Sequence, residues 1–137
     1  SQKDAYRHVY GYTIINDVTA RTLQNRHKQW FLGKSPDGFC PMGPCIVGRA
    51  RVPDPDALGI AVTIDGETVQ RSSTAGLVRP VARLIADVSE FMTLFPGDVL
   101  TVGVAAGAPR ARVGQTVTIT IRGVGQLENT LVAGDSK

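Results

Sequence analysis

Ile60, Val62 and Ile64 alternate with Ala61, Thr63 and Asp65, and Asp65-Gly66 then leads into Thr68-Val69-Gln70. Strict alternation is the period of a strand, and Asp-Gly is a preferred two-residue connection between antiparallel strands, so this stretch predicts a β-hairpin. The same signal predicts a strand from Val9 to Ile15, a short apolar strand at Ile46-Val47, and two final strands, Val117–Ile121 and Gly125–Leu131, split by a turn containing Gly123. Helical spacing holds only for Val81, Leu84, Ile85, Val88 and Met92, which predicts one amphipathic helix from about Pro80 to Met92, stopped by Phe95-Pro96-Gly97-Asp98. Val52-Pro53-Asp54-Pro55-Asp56 reads as a turn. The expected fold is mixed β with few helices, in one domain over residues 1–137 without repeats or a linker.

With 137 residues, 42% hydrophobic and 20% charged, the chain matches one ordinary soluble domain able to bury a core. No apolar run is long enough for a membrane span and no signal-like segment is present, which points to the cytoplasm. A formal charge of +3 spread over scattered basic residues argues against nucleic acid and suits a small anionic substrate. Cys40 and Cys45 lack the partner ligands of a zinc site, with only His8 and His27 elsewhere. They are expected to be buried, reduced thiols.

Asp17 lies at the carboxyl end of the first strand, in Asn16-Asp17-Val18-Thr19-Ala20-Arg21. A carboxylate there suits a hard cation such as Mg²⁺ or Mn²⁺. It also precedes a helical turn over Val18–Gln24, so a plain helix N-cap is the competing reading. Lys34 follows 17 residues later in Gly33-Lys34-Ser35-Pro36-Asp37-Gly38-Phe39-Cys40-Pro41-Met42-Gly43-Pro44, a loop stiffened by its glycines and prolines. It reads either as a solvated loop lysine or as a cation that exchanges a proton with an enolate or stabilises it.

Both segments resemble the fumarylacetoacetase family, and two later stretches are similar to further motifs of that family in the same order. These are Ser89-Glu90-Phe91-Met92-Thr93-Leu94-Phe95-Pro96-Gly97-Asp98-Val99-Leu100 and Gly123-Val124-Gly125-Gln126-Leu127-Glu128-Asn129. The resemblance implies a mixed-β roll with a metal in a cleft, and a homodimer. It implies Asp17 as a ligand of Mg²⁺ or Mn²⁺, Lys34 as the active-site lysine, Gln24 as a residue near bound substrate, and Arg21 as a structural ion-pairing group. Glu90 has no matched role and reads as part of a solvated helix face. Thr22 stands where many members have an acid, and Val104 where a threonine commonly contacts substrate.

The Gly103-to-Arg112 stretch resembles the bifunctional decarboxylase/isomerases of homoprotocatechuate catabolism. The implied reaction is metal-dependent decarboxylation, isomerisation or both, on an unsaturated 2-oxo di- or tricarboxylate from aromatic-compound breakdown. Two alternatives stand beside it: a C–C hydrolase of the acylpyruvate or fumarylacetoacetate type, and a non-catalytic half of a two-domain enzyme. Family members carry an upstream E-x-E pair of metal ligands, and this sequence has none. The chain is therefore expected to lack an upstream segment, or to work with a second domain that supplies acidic ligands.

Overall fold

The computed structural model describes residues 1–134 and is built from six strands and two α-helices among those residues, with short 3₁₀ turns between them. The strands are β1 (Gly11–Ile15), β2 (Met42–Gly48), β3 (Gly59–Ile64), β4 (Glu67–Ser73), β5 (Thr116–Ile121) and β6 (Gly125–Thr130). The helices are α1 (Arg21–Arg26) and α2 (Val81–Phe91). Antiparallel β1 and β2 form one sheet, and β4-β3-β5-β6 form the other, also antiparallel throughout.

The hairpin expected at Asp65-Gly66 forms as the chemistry requires. Asp65 and Gly66 both adopt positive φ, 50° and 84°, matching a turn whose twist follows that of the flanking strands. The Asp65 carboxylate then accepts the Thr116 N–H at 2.9 Å and the Gln115 side-chain amide at 2.8 Å, fastening the turn to the start of β5. Alternation sends Ile60, Val62, Ile64, Val117, Ile119, Ile121 and Leu127 to one face of the four-stranded sheet, as the register shows. That face meets β1 and β2 in a cluster of Ile14, Val52, Val124 and Leu127, with Tyr12, Val47, Ile119 and Ile121 packed around it. Ile14 is fully buried.

β2 is longer than the Ile46-Val47 stretch suggested, because its pairing continues past an irregularity. Ile14 pairs with Gly43 and Tyr12 with Val47, so one residue of β1 opposes three of β2. Pro44, which has no N–H to give a ladder, falls inside this bulge. β1 itself begins at Gly11 rather than Val9, because residues 2–8 form a 3₁₀ turn ending there.

α2 covers the predicted segment almost to the residue. Its start is held from a distance: the Asp56 carboxylate accepts the Val81 N–H at 2.8 Å and the Tyr6 hydroxyl at 2.7 Å. Asp56 sits on a 3₁₀ turn, Pro55–Ala57, within the stretch expected to be a turn, where proline at the first position forfeits no bond. Three segments far apart in sequence thus meet at one carboxylate.

The expectation of buried thiols fails. Cys40 and Cys45 are free but exposed, not buried: the loop that carries Cys40 and the bulge that carries Cys45 both lie at the surface. A core is buried, as expected, but the chain keeps a large surface around it. The surface measures 9942 Å², against about 6,900 Å² for a compact monomer of 14.6 kDa. Trp30, Phe31, Phe91, Met92 and Phe95 all stand more than half exposed. No described helix is long and apolar enough to cross a membrane.

Candidate functional site

The end of β1 is pinned before it reaches Asp17. The Asn16 N–H donates to the Pro41 carbonyl at 3.0 Å, extending the β1–β2 pairing by one bond, and the Asn16 amide side chain reaches Asn129 of β6 at 3.5 Å. The chain then turns sharply, with the Val18 N–H on the Asn16 carbonyl at 2.8 Å and the Thr19 hydroxyl on the Asp17 carbonyl at 3.2 Å. Asp17 is therefore two residues beyond the strand, on a turn, with its side chain outward. It does not cap α1, whose N-cap is Ala20 with no side-chain bond, so the competing helix-cap reading falls. The predicted helical turn over Val18–Gln24 is displaced to Arg21–Arg26 by this same turn.

Lys34 closes a 3₁₀ turn at Trp30–Gly33, its own N–H donating to the Phe31 carbonyl at 2.9 Å. That turn is fastened to α1 by the Ala20 N–H, which donates to the Gly33 carbonyl at 2.8 Å. Contact there is tight: a Cβ on Gly33 would lie 3.0 Å from both the Gln24 Cβ and the Gln24 nitrogen. Gly33 is the residue that lets α1 and the Lys34 turn approach. Sequence reasoning assigned it only stiffness, because close backbone approach leaves no composition signal beyond the glycine itself.

These constraints place the Lys34 ammonium directly on the Asp17 carboxylate, Nζ donating to Oδ2. The two side chains are 32% and 36% exposed. At that exposure the pair adds little to stability, and its meaning is positional. Asp17 Oδ1 has no protein partner among the described residues, and the lysine has two N–H donors to spare.

Gln24 lies on α1 beside Gly33, and its side-chain oxygen accepts from Arg21 at 2.7 Å. Arg21, expected to pair with an acid, makes this bond instead and has no ion-pair partner among the described residues. Glu90 is exposed on α2, as expected. Val104 is 67% exposed in the irregular segment between α2 and β5, which the Gln70 amide holds through the Ala106 carbonyl at 3.0 Å.

A divalent metal demands more than this. Among the described residues no group of three or more His, Cys, Asp or Glu side chains converges as a metal cage. Asp17 Oδ1 fits one ligand position, and residues 1–134 do not complete an octahedral oxygen set. The site is also open: two recesses among the described residues lie elsewhere, one between Ser1–Lys3 and Ala82 and one along α2. The ionic pair thus faces outward, with the exposed rings of Trp30 and Phe31 close by in sequence.

Comparison with known proteins gives the chain's family. The fumarylacetoacetate (FAA) hydrolase C-terminal family matches residues 1–132, and the chain belongs to it. It is 41% identical over 138 residues to the oxaloacetate tautomerase YisK of Bacillus subtilis (strain 168), covering 96% of this chain and 46% of that protein. The structure of 2-hydroxyhepta-2,4-diene-1,7-dioate isomerase from Mycobacterium marinum superposes with a TM-score of 0.88 at 40% identity, over 96% of this chain and 51% of that one. Fumarylpyruvate hydrolase from Pseudomonas aeruginosa, solved with Mn²⁺ and pyruvate, gives 0.90 at 32% identity, over 98% and 59%. The chain spans about half the length of the relatives it matches.

Proposed function

From membership of this family we propose that the chain is the C-terminal part of a catalytic domain that moves a proton beside the 2-oxo group of a small anionic 2-oxo acid. The observation that carries the reading is the pairing of Lys34 with Asp17 across 17 residues, at an open surface where it is not needed for stability. The substrate class is an unsaturated 2-oxo di- or tricarboxylate, and the reaction is isomerisation, decarboxylation or both. The related tautomerase and the dienedioate isomerase support it, since each name describes movement of a proton and a double bond.

In this proposal Asp17 Oδ1 is one ligand of Mg²⁺ or Mn²⁺, and the remaining carboxylates come from a segment outside residues 1–137. The Mn²⁺ complex of the related hydrolase supports a divalent ion. When bound, such an ion supplies Lewis-acid polarisation of the 2-oxo group. Asp17 holds the Lys34 ammonium in place through Oδ2. Lys34 neutralises the charge of the enolate that remains when CO₂ leaves or when the 2-hydroxyl proton of an enol substrate passes to solvent water, and donates its own proton to one carbon of it, regaining one from solvent. Delivery to a carbon further along the conjugated chain gives the isomer. Gln24, against Gly33, contributes a side-chain amide to hold a substrate carboxylate.

A hydrolytic reading is favoured by one observation, the related fumarylpyruvate hydrolase bound to pyruvate. The decisive experiment supplies the full-length protein with Mn²⁺ and a conjugated 2-oxo dienedioate and follows its ultraviolet absorbance together with product mass. A product of unchanged mass or one lighter by CO₂ supports the proposal. Release of pyruvate by addition of water transfers the reading to the hydrolase. No conversion of either the dienedioate or fumarylpyruvate, with Lys34 intact, rejects catalysis at this pair.

A further inference from the structure

β6 carries one side chain that its sheet does not explain. The register sets Asn129 opposite Val117, in the inward row where Ile64, Val117, Ile119 and Leu127 are its neighbours. Along β3, β5 and β6 that row is otherwise apolar apart from Gly125. An amide in such a row costs stability unless it is bonded, and a leucine would complete the pattern. Among the described residues the Asn129 side chain has one bond: its Oδ1 accepts from the Asn16 amide at 3.5 Å. At that length the bond adds little to the sheet, and its consequence lies at Asn16.

Asn16 opens a turn with no slack. Its N–H donates to the Pro41 carbonyl at 3.0 Å, and its carbonyl accepts the Val18 N–H at 2.8 Å, closing a three-residue turn with Asp17 at the centre. Asp17 does not adopt positive φ, so the turn is the inverse form, in which both dihedrals of the central residue are set. Any rotation of Asn16 is therefore carried straight to the Asp17 Cβ. The single backbone bond to Pro41 acts as a pivot and leaves that rotation open. The side-chain bond to Asn129, made from a different strand, opposes it.

We propose that Asn129 is a positioning residue for Asp17: through Asn16 it fixes the direction of the Asp17 carboxylate, keeping Oδ2 on the Lys34 ammonium and Oδ1 free for a ligand. The inference rests on the reading of Asp17 and Lys34 as the working pair, and adds the residue that aims the carboxylate.

The test uses the full-length protein and the variants Asn129→Leu, Asn16→Ala, the two combined, and Asp17→Asn. Three quantities are measured: Tm, Mn²⁺ affinity, and hydrogen exchange of the Val18 amide in the metal-free protein. Asn129→Leu is expected to keep Tm at or above wild type, since it completes the apolar row. It should nevertheless speed exchange at Val18 severalfold and weaken Mn²⁺ binding by roughly three- to tenfold, less than removing a residue bonded directly to a ligand costs. Asn16→Ala should match it in exchange and affinity, and the double variant should do no worse than either, because all three lose the same bond. Additive losses overturn the positioning role, as does an Asn129→Leu protein with Val18 exchange and Mn²⁺ affinity unchanged. A loss of affinity that only follows a lowered Tm overturns it too. Asp17→Asn separates the two levels. If it loses the ion while Asn129→Leu does not, Asp17 stands as a ligand and Asn129 is only part of the sheet. If it binds Mn²⁺ as wild type does, the reading of Asp17 falls and this inference falls with it.

Discussion

Replacing Gly33 with alanine tests whether close approach of α1 and the Lys34 turn builds the site. The added methyl group would stand 3.0 Å from the Gln24 Cβ, 3.0 Å from the Gln24 nitrogen and 3.1 Å from the Ala20 carbonyl oxygen. Two of these are backbone atoms and the third is fixed to one, so none can swing aside. Relief requires the two segments to part by a few tenths of an ångström, which stretches the bond from Ala20 N–H to Gly33 carbonyl. Overpacking of this kind costs about 1–3 kcal/mol. For a domain of this size that lowers Tm by roughly 3–4 °C per kcal/mol.

Gly76 supplies the control, because a Cβ there meets nothing within 4 Å. Gly76→Ala should leave stability within about 0.5 kcal/mol of wild type or raise it slightly. Urea unfolding of both variants gives the stabilities, and turnover by the full-length protein gives the functional effect. Gly33→Ala should lose activity beyond what its unfolded fraction explains, since Lys34 is the next residue. A Gly33→Ala protein as stable and as active as Gly76→Ala would show that the approach of α1 to the Lys34 turn positions nothing.

Asp17→Asn should weaken Mn²⁺ binding by the full-length protein at least tenfold, read from the electron paramagnetic resonance of the free ion, while leaving Tm within about 2 °C, because the exposed pair carries little stability. Lys34→Met should retain the ion and lower kcat far more than it raises KM, the signature of a group acting mainly in the transition state; a raised KM alone makes it a carboxylate-binding residue. Burial first, and the Asp56 carboxylate next, hold the Tyr6 hydroxyl above the usual tyrosine range. Its contribution is complete below the unfolded value near 10 and is lost as pH rises from there toward the folded value, so Tyr6→Phe should flatten the alkaline limb of stability against pH. The Thr116 N–H, then the Gln115 amide, lower the Asp65 acid. That contribution is present above the ordinary carboxylate range and is lost as pH falls through the lowered value, so Asp65→Asn should flatten the acid limb.

What could be read in advance was whatever depends on neighbours in sequence. Asp65-Gly66 specifies its own turn, and Pro80 with the spacing of Val81, Leu84, Ile85 and Val88 specifies α2 to within a residue. Cys40 and Cys45 were misread because burial belongs to the three-dimensional path of a loop, and thiols carry no local sign of exposure. β2 was read short for a related reason: its extension past Pro44 depends on β1 tolerating a bulge, and no property of Pro44 itself discloses that.

The site divides in the same way. Asp17 and Lys34 were recognisable as chemical types, yet nothing in their 17-residue separation required them to touch. Their meeting depends on Gly33 packed against Gln24 and on Asn16 held between Pro41 and Asn129. Asn129 belongs to a segment noticed only as a motif, without a role, because its partner lies 113 residues away. Its bond ties the far end of the four-stranded sheet to the residue before Asp17. The Asp17 turn is thereby referred to both sheets, whereas the backbone of the Lys34 turn is fastened to α1. A change in how α1 seats should therefore move the lysine relative to the carboxylate, and not the reverse. Glycine at position 33, adjacent to that lysine, governs the seating, which makes the loss of activity in Gly33→Ala the most direct reading of which of the two groups the fold holds fixed.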